Sequence, residues 1–445
     1  MKYTILLTFF LYLSAFTSDA QQRANQYGVV NLKGEIIVPM IYEEIIPFGN
    51  GYARTMRRER YGLIDSQGKE ILECKYHGIQ EVVADRIIVM MNKSYGVIDL
   101  NGNTIIPITH KSIIHLTDGY FLAYKTVTCG VYNNKGEITV PFSNDILMPF
   151  SGDRHFLLVQ DYIKGSNKII DCNNTELKQF TNTHTQDMGN GYLGIETRVK
   201  NTYRIIDIDA HLINEAIKVE SNQIFDGDYL CYMSEGKLGL IHISGKQILL
   251  PAYKRIYDFE DGHAKVVQDS TRFGDNQYGV IDTDGKEIVR CMYDGLGKFS
   301  NGRILALAQQ KYGYLNKNGM VAIPFRYDSA IDFEDNIAIV SQGRHYGVID
   351  THGNQILPFE FDQLKYLGKE RFAAYQNGKW KIIGKENQAI NNSIYDAIGY
   401  VYADNYITAS ANRKWGIIDH SGALILPFQY SSVQLLSNET CIVHK

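Results

Sequence analysis

The sequence predicts an all-β fold, a tandem array of about twelve antiparallel β units of roughly 35 residues each. Three observations carry that expectation. The pentapeptide YGVID occurs three times, at residues 95–99, 278–282 and 346–350, with YGLID at Tyr61 and WGIID at Trp415. The 445 residues include 31 Tyr and 39 Gly but only 9 Pro and 2 Trp, and Tyr favours half-buried strands while Gly supplies turns. Short apolar runs separated by Asn-Gly and Asp-Gly pairs recur along the chain, which is the signal of β-hairpins.

Counted from the opening aromatic, units start at Tyr27, Tyr61, Tyr95, Cys129, Leu238, Tyr278, Tyr312, Tyr346, Trp380 and Trp415. Two worn copies begin near Asn167 and Tyr203 and keep IID at 169–171 and 205–207. The first strand of a unit is the YGVID segment. Seven residues after the start stands a Gly (Gly34, Gly68, Gly102, Gly136, Gly245, Gly285, Gly319, Gly353, Gly422) or its substitute Asn174, Asn387 or Ala210. Gly with Asn as first replacement marks a backbone position with φ above zero. The second strand is the aliphatic run that follows, such as TIIPI or EIVRC. Pro39, Pro107, Pro141, Pro324, Pro358 and Pro427 share one position in it, which reads as a strand end or edge because Pro cannot donate to a ladder. An aromatic follows at Tyr42, Tyr76, Tyr253, Tyr293, Tyr327, Phe361, Tyr395 and Tyr430, then Phe48, Phe150, Phe259, Phe299 or Phe333, an acidic or Gly turn, and a third short strand such as HAKVV at 263–267.

This unit resembles the WG repeat, a bacterial tandem repeat of about this length. The shared pattern is an aromatic-Gly pair, two aliphatics, Asp or Asn, a turn Gly, an aliphatic run ending in Pro, a Tyr, and a Phe before an Asp-Gly turn. The namesake Trp-Gly survives at Trp415-Gly416, Tyr-Gly dominates elsewhere, and Trp380 is followed by Lys381. The resemblance implies a binding or scaffolding role rather than a defined activity.

The paired aliphatics of the motif, as in Val97-Ile98, and the continuous second-strand runs predict small sheets buried on both faces. Stacked blades of a propeller, in one or two rings, satisfy this, and so do rungs of an open β superhelix. The expected organisation is a signal peptide at 1–20, four repeats at 27–166, two degenerate repeats at 167–237, and six repeats at 238–445.

The N-terminal segment carries Lys2, an apolar stretch from Ile5 to about Phe16, and Ser18-Asp19-Ala20 before Gln21, the pattern of a cleavable export signal. An exported chain is expected, in the periplasm, at the cell surface or outside the cell, with no integral membrane segment after cleavage. The formal net charge of −4 offers no electrostatic case for nucleic acid. Six cysteines in an exported chain invite disulfides, yet Cys74 and Cys291 take a repeat position that other units fill with Met40, Ile108, Phe325, Phe359 or Phe428. Free thiols in the core are expected.

The repeated Asp (Asp65, Asp99, Asp171, Asp207, Asp282, Asp350, Asp419) is the most tempting chemical candidate, since a row of carboxylates suits cations or sugars. Asn31, Asn133 and Asn316 replace it freely, however, and the third acid and distal Glu of a calcium loop are absent. Capping of the turn by the Asx side chain is the expected role. The motif aromatics are expected in the core rather than as a sugar-stacking ladder. Twelve histidines fall into no zinc spacing, no nucleophile elbow or phosphate loop occurs, and the basic run at 54–60 reads as a solvated loop.

No catalytic, metal or cofactor residue is therefore expected. The expected function is an exported, non-enzymatic module that binds a protein or a cell-envelope glycan. A structural spacer and a hydrolase assembled from distant repeats are the alternatives. Residues that break the repeat, above all 161–167 and 268–277, are where a binding face is expected.

Overall fold

A computed structural model of the protein describes residues 26–117, 119–149, 156–161, 166–181, 185–189, 191–207, 211–218, 223–224, 229–242, 244, 246–269, 276–402 and 406–445. The expected signal segment lies outside the described residues, as do 162–165 and 270–275 within the two repeat-breaking loops.

The described residues form twelve small antiparallel sheets, eleven of four strands and one of three. The chain divides into two compact units, residues 1–113 with 363–445, and residues 114–362. The worn repeats belong to the second unit, where they build four-stranded sheets like the others.

The repeats hold four strands rather than three, except the one that starts at Trp380. The stretch between the second-strand Tyr and the later Phe is itself a strand, for example Arg255–Glu260 beside His263–Asp269. Its mixed pattern hid it, because it is an edge strand with a bulge between Ile256 and Phe259. The sheets are also out of phase with the repeat. Glu44–Gly49 and Tyr52–Arg57 of the first repeat pair with Arg60–Asp65 and Glu70–Tyr76 of the second.

That offset leaves the hairpin of Tyr27–Asn31 and Ile36–Tyr42 without a preceding repeat. Its missing partners come from the far end of the chain, Ser432–Leu435 and Thr440–His444. Tyr27–Asn31 lies centrally, between Ile36–Tyr42 and Thr440–His444. First and last strands thus share one sheet, which an open superhelix does not provide. The fold is a β-propeller with twelve blades.

Local chemistry explains each blade. In the motif strand Gly-Val-Ile is buried throughout, as at Gly279, Val280 and Ile281, and each fully buried aliphatic contributes about 1.5–3 kcal/mol. The Pro-bearing strand is an edge, so no ladder partner needs the missing N–H. Pro sits within that strand at a bulge rather than at its end. Tyr312 pairs with Tyr327 and Tyr314 with Ile323, so two residues on one side span four on the other around Pro324. The bulge drives a carbonyl toward the motif Gly. A Cβ on Gly279 would stand 2.7 Å from the Val289 carbonyl oxygen, which accounts for the second letter of the motif.

The turn Gly has two duties. Gly285 takes φ +77°, and a Cβ there would stand 2.7 Å from the carbonyl oxygen of Ile248 in the preceding blade. Blades therefore meet through these turns and through shared apolar clusters. Val280, Val289 and Tyr293 of one blade pack with Leu296, Ile304, Ala306 and Leu315 of the next.

All six cysteines are free. Cys129, Cys172, Cys231 and Cys441 are buried, while Cys74 and Cys291 are half-buried. No helix among the described residues is long and apolar enough to cross a membrane.

Candidate functional site

The repeated Asx side chains cap turns. Oδ1 of Asp282 accepts the backbone N–H groups of Asp284 (3.0 Å) and Lys286 (2.9 Å). Asp65, Asp99, Asp171, Asp350 and Asp419 accept the corresponding pairs. Asp207 accepts from His211 N. Asn31, Asn133 and Asn316 do the same work, which is why Asn replaces Asp freely. The Asn103 side-chain amide, then its backbone N–H, hold the exposed Asp99 carboxyl below its ordinary range. Among the described residues no three His, Cys, Asp or Glu side chains are grouped to hold a metal ion.

The motif Tyr side chains such as Tyr61 and Tyr278 are half-buried and Trp380 is buried; Tyr61 stands across the strand pair from the buried Tyr76 and Tyr278 from the buried Tyr293. A further acid escaped the sequence reading. Asp328 accepts the Gly343 N–H at 2.7 Å and pairs with Lys311; Asp396 accepts the Arg413 N–H at 2.8 Å and pairs with Lys379. The ion pair with lysine, then the N–H, lower both carboxyls. An acid sixteen residues after the unit start was the available signal, and its role is again structural.

The basic run at 54–60 is a hairpin, not a loop. Tyr52–Arg57 and Arg60–Asp65 are paired strands, and Arg58 and Glu59 form the turn at φ +53° and +57°. The Arg54 guanidinium lies over Tyr61 (4.8 Å) and Phe48 (5.7 Å), with Glu44 at 3.8 Å.

With the Asp row and the motif aromatics absorbed by structure, the candidate site is a cleft inside the second unit. It has a volume of about 180 Å³ and lies between the blade carrying Arg255–Glu260 and the blade carrying Gly295–Ser300. Tyr257, Asp258, Glu260, His263 and Lys265 line one side, and Gly297, Lys298 and Phe299 the other, with Val280 and Ile304 as apolar floor. Two departures from the repeat open it. Lys265 stands twenty-seven residues after its unit start, where seven other units place Ile88, Leu122, Leu230, Leu305, Ile339, Ile407 or Ile442 and the first unit places Arg54. Gly297 removes a side chain from the facing bulge.

Inside the cleft the Lys265 ammonium lies 4.7 Å from the Tyr257 ring centre and 6.0 Å from that of Tyr278, with the Leu296 carbonyl at 3.4 Å. His263 stacks on Phe299 at 5.3 Å, and Lys298 pairs with Glu260 at 3.4 Å. Behind Gly297 sits the Asp332 carboxyl, whose Oδ1 is buried without a hydrogen-bond partner. Burial raises the Asp332 pKa, partly offset by the Lys298 backbone N–H and by the ammonium groups of Lys265 and Lys298.

The described ends of the repeat-breaking segment, residues 268–269 and 276–277, extend the hairpin of this same blade. Gln268 pairs with Gln277 and Asp269 with Asn276, and Lys254 ties both arms through Asp269 (3.0 Å) and Asn276 (3.2 Å). The insertion lies on the same blade as the cleft, whereas no sequence signal singled out Tyr257, Lys265 or Lys298.

A family model described as the WG containing repeat matches residues 27–58, 61–94, 239–271, 278–311, 312–344, 346–380 and 415–444, more than half of the chain. No curated protein sequence matches. Solved structures with some likeness include a crystal structure of the eukaryotic initiation factor, at 11% identity over 76% of this chain and 94% of that chain, with a TM-score of 0.33. Another is apo AztD from Citrobacter koseri, at 14% identity over 60% of this chain and 93% of that chain, with a TM-score of 0.28. Both are too distant to bear on what this chain does.

Proposed function

The chain belongs to the WG containing repeat family, and we propose that it is an exported, non-enzymatic binding module that takes a cell-envelope glycan into the cleft at Tyr257. The observation that carries this reading is the cleft itself, a hollow that sets the rings of Tyr257 and Phe299 beside charged side chains, among them Lys265 at a position where most units hold an aliphatic residue. Aromatic faces suit the apolar C–H faces of a sugar. Carboxylates and ammonium groups in one small volume supply acceptors and donors for its hydroxyls, as at Asp258, Glu260, Lys265 and Lys298. Export is supported by the signal pattern at 1–20. Neither a cofactor nor nucleic acid enters this reading.

The test is calorimetric titration of the chain from Gln21 onward with soluble fragments of peptidoglycan and envelope polysaccharides. Tyr257→Ala is expected to weaken binding about tenfold, the value of one lost stacking contact, with an unchanged melting temperature. Binding that ignores this substitution, or a chain that binds none of the fragments and instead captures a protein, overturns the proposal.

A further inference from the structure

Two cations of the cleft blade, without an ion pair among the described residues, point to the class of sugar, an inference that rests on the glycan reading above. The repeat provides an internal comparison. Arg54 and Lys265 occupy the same repeat position, and each lies over the opening Tyr of the following unit, Tyr61 and Tyr278. Arg54 has its counter-ion: Glu44, seventeen residues after the unit start, lies 3.8 Å away. At that position the cleft blade has Arg255, a second cation in place of the acid.

Both cations address one ring. Arg255 lies 5.6 Å and Lys265 4.7 Å from the centre of Tyr257, and Arg255 donates to the Tyr257 hydroxyl at 3.4 Å. An ammonium carries three donors, and Lys265 spends one, on the Leu296 carbonyl at 3.4 Å. Neither Lys265 nor Arg255 forms an ion pair among the described residues. Of the acids nearby, Asp332 feels the Lys265 ammonium but accepts no hydrogen bond from it. Glu260 is engaged by Lys298, Asp258 is exposed at the rim, and Asp332 lies behind Gly297. A half-buried cation with unspent donors is costly unless an acceptor arrives, and attraction to an anion is strongest where water is excluded.

We propose that the cleft selects an anionic saccharide, its carboxylate received by Lys265 and Arg255 beside Tyr257. The ligand supplies what Glu44 supplies to Arg54. Because the recognition is charge against charge, binding weakens as salt rises.

The experiment titrates the chain with oligogalacturonate, with its methyl ester, which keeps the ring and loses the charge, and with a neutral oligosaccharide panel. The acid is expected to bind at least tenfold more tightly than the ester, and Lys265→Met, which preserves the stem, is expected to erase the difference. Arg255→Gln, on an exposed residue, is expected to reduce it severalfold and guards against a folding defect in the first variant. Equal binding of acid and ester, or a preference that survives both substitutions, overturns the anionic assignment and leaves the glycan reading standing. Binding of nothing in the panel removes both.

Discussion

The ring of Tyr27 stacks on that of His444, with centroids 4.7 Å apart and planes 18° apart. The two residues are also direct partners across the Tyr27–Asn31 and Thr440–His444 strands. The first residue of the first repeat is thereby held by the last strand of the chain, in a blade buried around Val29, Val30, Cys441 and Val443.

Removing residues 432–445 takes two of four strands from that blade and bares Val29 and Val30. Loss of the cooperative thermal transition and rapid proteolysis near the N-terminal hairpin are expected. His444→Ala, which removes only the stack, is expected to cost about 0.5–1.5 kcal/mol in urea denaturation. A truncated chain that melts like the full one would show that the shared blade contributes little.

The motif Gly is expected to tolerate no side chain. Gly279→Ala sets a Cβ against the Val289 carbonyl oxygen at 2.7 Å, and overpacking of this kind costs about 1–3 kcal/mol. Gly295→Ala is the control, because its nearest neighbour would be Leu307 Cβ at 3.5 Å. Equal midpoints for the two variants in urea would contradict the account of the bulge.

Asp282 serves the turn, so Asp282→Asn is expected to be nearly neutral and Asp282→Ala to cost about 1.5–3 kcal/mol, the value of hydrogen bonds to a charged acceptor. A chelator is expected to leave the melting temperature unchanged. A rise in melting temperature on adding calcium, abolished in the Ala variant, would instead make the Asp row a cation site.

Alkaline pH is expected to weaken the fold. Burial pushes the thiols of Cys231 and Cys441 from 9.0 up to about 12. The hydroxyls of Tyr42 and Tyr253 rise from 10.0 to about 12, again through burial first and then nearby acidic groups. The folded chain holds these protons more tightly than the unfolded one. Their stabilisation is therefore complete below about pH 9 and is lost as pH climbs toward 12, by about 1.4 kcal/mol per thiol for each unit in that window. Denaturation midpoints that stay flat from about pH 8 to 11 would refute this. In the native state, Cys74 and Cys291 are expected to react first with a thiol reagent, because they alone are half-buried.

Much of this molecule is written in short-range chemistry. Val97-Ile98, the Asp99 cap and Gly102 at φ +82° make strand, turn and strand from residues a few positions apart, so each was readable in the sequence alone. The strand Arg255–Glu260 was not, because an edge strand with a bulge shows no clean alternation. Nor was the phase of the blades. The pairing of Tyr52–Arg57 with Arg60–Asp65 joins two repeats, and repeat spacing is the same whichever neighbour a strand chooses. The unit, its turns and the family follow from residues close together in the chain. Tertiary structure alone decided that Tyr27 meets His444, and that Tyr257, Lys265 and Lys298 share a cleft, because both depend on which distant strands lie side by side.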